Sequence, residues 1–142
     1  MQAPTFEPQN KLNIHPANDG ATKLYHNGIL KDKTIKLLQE RYQTEESWDT
    51  RLLLMDLNGD SDLSDIDGSF SCLWYTGHEL RLLRNEIAPM FINESNYDIS
   101  STKFENSVSI SPNTVFKFKP AKKNLTPIKN FRTVNNPYYL GE

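Results

Sequence analysis

The chain is poor in the residues that would announce a familiar class. A single cysteine, Cys72, excludes an internal disulfide. Apolar residues make up 37% of the 142 residues, and mean hydropathy is −0.64, so a modest core beside long polar segments is expected. No apolar run approaches the roughly 18 residues of a membrane span. The start, Met1-Gln-Ala-Pro-Thr-Phe-Glu7, has neither a basic region nor an apolar stretch, so no secretory signal is expected. Asn93-Glu-Ser95 and Asn124-Leu-Thr126 match the glycosylation triplet but mean little without such a signal. A net charge of −2 argues against a general nucleic-acid binder. The histidines, His15, His26 and His78, are in no zinc-ligand spacing, and no phosphate-binding glycine loop or Gly-x-Ser-x-Gly elbow occurs. These absences favour a binding protein over an enzyme, in a reducing intracellular setting, either cytoplasmic or cytoskeletal.

What the chain has in abundance is acid in one place. Asp56-Leu-Asn-Gly-Asp-Ser-Asp-Leu-Ser-Asp-Ile-Asp67 places oxygen side chains at alternating positions: Asp56, Asn58, Asp60, Asp62, Ser64 and Asp67. Five carboxylates in twelve residues repel one another unless a cation sits between them. A hard cation takes about six to eight oxygens at roughly 2.3–2.6 Å, which this alternation could deliver from one loop. The pattern resembles the EF-hand calcium-binding superfamily, and its wording is similar to the dockerin variant. Trp48, Leu52 and Met55 precede the loop at the spacing of that family's first helix, and Thr44 or Ser47 would cap it. The resemblance implies one bound Ca²⁺ or Mg²⁺, held by the six residues named. Two positions depart from it. Ser61 stands where glycine is usual, at a cost of about 1 kcal/mol if φ is positive. Asp67, one methylene shorter than glutamate, shifts the balance towards Mg²⁺.

Elsewhere the spacing predicts a helix from Asp32 to Gln43, an exit helix carrying Ile66, Phe70, Leu73 and Trp74, and a helix opened by the capping-box signature Thr76-Gly-His-Glu79. The resemblance suggests that Leu63 pairs with Ile99 in a second, degenerate loop, or else with Leu30 behind Asn27-Gly28. A β-hairpin is predicted over 108–119. Cys72 and the aromatic residues Trp48, Phe70, Trp74 and Phe91 are read as core.

The expected fold is therefore mainly α: an EF-hand-like pair over 23–106, an extended arm over 1–22, and a hairpin with an extended arm over 107–142. Charge is segregated, with eight acidic residues and one basic between Glu45 and Asp67, and seven basic and one acidic between Lys103 and Arg132. The tail could lie over the acidic loop or meet an acidic partner. Phe131, Tyr138, Tyr139 and Leu140 are expected to insert into a partner's surface. The expected role is a structural or adaptor subunit of a larger assembly, binding other protein subunits through its arms and an apolar groove. The alternatives are a calcium-responsive regulator and a viral or phage structural protein.

Overall fold

The structure, a computed structural model, describes residues 15–134. Over that span the chain forms nine strands and two α-helices. Strands β1 (Ala17–Asp19), β2 (Thr22–Asn27), β3 (Ser71–Tyr75), β4 (Leu80–Arg84), β8 (Thr114–Lys119) and β9 (Asn124–Asn130) make a six-stranded sheet in the order β1-β2-β3-β4-β8-β9. Strands β5 (Phe91–Asn93), β6 (Ile99–Ser100) and β7 (Ser107–Ser109) make a small sheet in the order β6-β5-β7. All pairings are antiparallel. The chain leaves the large sheet after β4, builds the small one, and returns beside β4 as β8.

The helices, α1 (Asp32–Tyr42) and α2 (Asp49–Asn58), cover one face of the large sheet. Leu24, Cys72, Trp74, Leu83 and Val115 from the strands meet Leu38, Leu52, Leu53, Leu54 and Leu57 there. Alternate strand residues point the other way, so Leu73, Leu82, Phe116 and Phe118 meet Met90, Ile92, Ile99 and Ile110 from the small-sheet region. The result is three layers: helices, large sheet, small sheet. α2 is buried almost all round, with Thr50, Leu52, Leu53, Leu54, Asp56 and Leu57 out of solvent. Such a helix carries little amphipathic signal.

The mainly α expectation and the EF-hand resemblance are both overturned. α1 stands where the spacing predicts a helix, and α2 supplies the helix expected before the acidic loop. Among the described residues, the regular elements after the loop are strands and one short 3-10 turn, Pro120–Lys122. The segment predicted as an exit helix is β3, whose faces are buried against both neighbouring layers. Its apolar residues therefore need not alternate, and they fall by coincidence at helical spacing. The Thr76–Glu79 signature is a hairpin turn joining β3 to β4. The Thr76 hydroxyl accepts from the N–H groups of His78 (3.3 Å) and Glu79 (3.2 Å), the bonds a helix cap would make, but Gly77 has φ 97° and the chain reverses. Ile99 pairs with Ile92, not Leu63, and Leu30 bridges Gly68. The two strands of the expected hairpin, β7 and β8, belong to different sheets.

Candidate functional site

The side chains of the acidic loop are engaged by separate partners of the chain. Asp56 is buried within α2, where its Oδ1 accepts from Arg41 (2.8 Å) and from the Tyr42 hydroxyl (2.5 Å). Arg41 also holds Asp65. Burial and the Asp56 carboxylate push the Tyr42 pKa up to about 12. Asn58 turns away, donating to Thr22 Oγ1 (2.9 Å). Asp60 is fully exposed, 3.9 Å from Lys129 Nζ. Asp62 accepts from the Ser64 N–H (3.0 Å), which holds its carboxyl below the usual range, and Ser64 is exposed. Asp67 lies 3.9 Å from Lys31 Nζ, and its N–H donates to Thr34 Oγ1 (3.0 Å). Lys129 from β9 reaches Ser61 O (3.0 Å), so basic residues of the chain itself meet this loop. Among the described residues no group of three or more His, Cys, Asp or Glu is placed to hold a metal ion. The EF-hand and calcium-binding reading is corrected accordingly: Arg41 stands between carboxylates where the resemblance implied a cation.

The most constrained polar constellation lies at the other end of α1. β2 ends in Asn27-Gly28, and the next residues run tightly beside Asp67–Ser69. Ile29 N–H donates to Ser69 Oγ (3.1 Å), Ser69 N–H to Ile29 O (2.9 Å), and Lys31 N–H to Asp67 O (3.0 Å). Leu30 N–H donates to Asp49 Oδ2 (3.0 Å) at the start of α2. The approach is so close that glycine is needed on both sides. Gly28 has φ 132° and a Cβ there would sit 2.2 Å from Ser69 O; Gly68 has φ 139° and a Cβ would sit 2.4 Å from Ile29 O.

Two buried polar side chains back the turn. Asn85, fully out of solvent, donates to Gly68 O (2.8 Å), and its Oδ1 accepts from Ile87 (3.2 Å) and Ala88 (3.1 Å). His26 sits with Nε2 3.1 Å from Ser69 O and Nδ1 3.1 Å from Thr50 Oγ1. Burial pushes the His26 pKa below the usual histidine range, opposed by the charge of Asp49.

In contrast, the Asn27 side chain makes no hydrogen bond among the described residues, and neither does the exposed Gly28 N–H. Asn27 borders a groove of about 280 Å³ between the outer face of β2–β3 and the β6 edge of the small sheet. Its polar lining is Asn27, Tyr25, Ser71, Ser100 and Ser101, and its apolar side chains are Leu73, Met90 and Ile99; among the described residues no charged side chain lines it. The Cys72 side chain belongs to the helix-facing core, fully buried, and burial pushes its thiol pKa far up. It is not a nucleophile in this setting.

Sequence reasoning saw Asn27-Gly28 only as the lead into the first helix and the flank of a degenerate loop, His26 only as a histidine outside any zinc spacing, and Asn85 not at all. The usable signal was local: Asn-Gly is a turn dipeptide, and Asn85 precedes a Pro-terminated turn whose N–H groups it caps. Phe131, expected in a partner, stacks on Phe70 in the chain's own core with ring centroids 5.7 Å apart. Tyr138, Tyr139 and Leu140 lie outside the described residues, as do positions 1–14 of the expected N-terminal arm.

No family model matches the chain, and no curated protein matches it. Among solved structures the fold is similar to a glutamine aminotransferase class-II domain protein from Silicibacter pomeroyi, with a TM-score of 0.55 and 14% identity, over 89% of this chain and 74% of that one.

Proposed function

We propose that the chain is a non-catalytic binding domain that takes a primary carboxamide, of the kind glutamine carries, at the Asn27–Gly28 end of the groove. One observation carries the reading: among the described residues neither the Asn27 amide nor the N–H of the neighbouring, exposed Gly28 has a hydrogen-bond partner, the turn that carries them is held rigid from behind, and Asn27 stands at the rim of a groove that no described charged side chain lines. A carboxamide side chain offers one acceptor and two donors, the complement of another carboxamide. The Gly28 N–H adds a donor for the ligand's carbonyl oxygen, the arrangement that oxyanion-binding sites use. Leu73, Met90 and Ile99 suit a short methylene stem. The structural neighbour is a glutamine aminotransferase class-II domain protein, which makes glutamine the first ligand to try. The absence of a charged lining favours amide over acid, because a carboxylate would lose its hydration with no cation to meet it. Binding is preferred to nucleophilic catalysis because Cys72 and His26 both face the helices, away from the groove hydroxyls.

Amide-resolved NMR titration of the chain with glutamine and with glutamate tests this. Glutamine is expected to shift Asn27, Gly28, Ile29, Ser71 and Ser101 with an affinity of about 1 mM, and glutamate to leave them in place. Asn27→Ala should weaken glutamine binding about fivefold, the worth of one net hydrogen bond. Equal response to both amino acids, or shifts confined to other residues, would sink the proposal.

A second reading, a subunit of a larger assembly, is favoured by Tyr25 and Tyr75 on the same outer face of the sheet and by Ile29 at the turn. These are large apolar groups left in solvent, Ile29 with 73% of its surface exposed.

A further inference from the structure

The polar groups behind the Asn27–Gly28 turn form one directional chain. Ser69 O is a carbonyl oxygen and can only accept, so His26 Nε2, 3.1 Å away, carries the proton. In the neutral ring Nδ1 is then bare and accepts from the Thr50 hydroxyl at 3.1 Å. That is a shorter partner for the hydroxyl proton than Asp49 Oδ1 at 3.5 Å. The Thr50 oxygen, having given its proton to His26, accepts from His15 Nε2 at 3.4 Å. His15 packs edge-on against Trp48, with ring centroids 5.2 Å apart, and its Nδ1 is buried without a partner. The order is thus His15 to Thr50 to His26 to Ser69, set by the Ser69 carbonyl at its end and by a neutral His26 ring. The carbonyl at its end is the atom against which Gly28 is pressed, and the Ser69 hydroxyl and N–H hold Ile29.

We infer that His26 is the positioning residue of the carboxamide site, locked as its Nε2–H tautomer by Thr50 and His15 so that Ser69, and through it the Gly28 N–H, keeps one orientation. The inference rests on the proposed carboxamide-binding function for its effect on ligand, and on the hydrogen-bond geometry alone for the tautomer. Burial disfavours the charged imidazolium of both histidines, which agrees with a neutral chain. Rotating or protonating His26 would place a second N–H against the Thr50 proton and break the order. Asn27 would remain in place, but its neighbouring donor would lose the fixed direction that a preorganised site needs.

The test uses the full chain labelled with ¹⁵N-histidine. Long-range proton–nitrogen correlations should show His26 at pH 7 as the pure Nε2–H tautomer. Thr50→Val keeps the shape of the residue and removes the hydroxyl. It should give a mixed His26 tautomer, altered Gly28 and Ile29 amide shifts, and glutamine binding weaker by about five- to tenfold. Thr50→Ser should restore all three. His26→Leu should lose binding more severely, but Thr50→Val decides the matter if that variant fails to fold. A His26 ring protonated at Nδ1 or at both nitrogens in the wild-type chain overturns the inference. An unchanged tautomer and unchanged Gly28 shifts in Thr50→Val overturn it too. If the wild-type chain binds no glutamine while the tautomer and shifts behave as expected, the carboxamide reading fails and the hydrogen-bond chain stands.

Discussion

Single atoms decide much of the turn. Gly28 is pressed against Ser69 and Gly68 against Ile29 and Leu30, and each occupies a backbone region that side chains rarely adopt. Replacing Gly68 by alanine adds backbone strain of roughly 1–3 kcal/mol and a Cβ at 2.4 Å from Ile29 O that only backbone movement can relieve. Gly68→Ala should therefore unfold at clearly lower denaturant concentration than the wild type, whereas Gly20→Ala, where nothing lies within 4 Å of the new Cβ, should cost only its positive-φ strain. Equal midpoints for the two variants in urea would contradict the close approach. At the same scale, the acidic positions at the surface of the loop serve as local acceptors. Asp62 and Ser61 cap the N–H groups of Ser64 and Leu63, and that use of Asp and Ser is indistinguishable, in a one-line sequence, from a ligand pattern.

Elements meet through a few specific pairs. Asp56 of α2 ties down both Arg41 and Tyr42 of α1, and Arg41 passes the connection on to Asp65 in the following loop. Asp56→Ala would leave the Tyr42 hydroxyl without this acceptor and Arg41 with Asp65 alone. Because Arg41 is about one-third exposed, water recovers part of its solvation, and a loss of about 1–3 kcal/mol is expected, below the cost of stranding a fully buried charge. Thermal unfolding of Asp56→Ala checks this. A melting temperature equal to that of the wild type would show that the helix pair stands on its apolar contacts alone. The outer strand β9 shows how an edge is kept from pairing further: it is largely exposed, carries Pro127 opposite Phe116, and has a register irregularity between Val115 and Phe116.

The whole molecule depends on one sheet serving two cores. Leu82 and Leu83, adjacent in β4, point to opposite layers, and both are completely buried. Neither layer can detach without exposing the apolar face of the same strands. Cooperative unfolding follows: fluorescence of Trp48 and Trp74, which lie in the helix-facing core, and far-ultraviolet circular dichroism should trace coincident transitions in urea. Separate midpoints would mean that the small-sheet layer comes off independently. Native-state hydrogen exchange adds a spatial check, with the centre of β2, β3 and β4 protected longest and the edge strands β1 and β9 exchanging first.

The sequence by itself determined the local features whose cause is local. The α1 helix is legible because Leu30, Ile35, Leu38 and Tyr42 give it an approximate apolar face. Burial of Cys72, Trp48, Phe70 and Trp74 is legible because aromatic and thiol side chains gain by leaving water wherever a core is within reach. The helix before the acidic loop was read correctly as a helix and wrongly as half of an EF-hand, since the loop's composition cannot say whether a cation or Arg41 meets Asp56. Only the tertiary structure decided that the residues from Ser71 to Arg84 form a hairpin. The middles of its two strands are covered on both faces, one by helices and one by the small sheet, and a strand buried on both sides loses the alternation that would have marked it. His26, Thr50, Asn85 and Ser69 act together across separations of up to 43 residues, and no periodicity records a contact of that range.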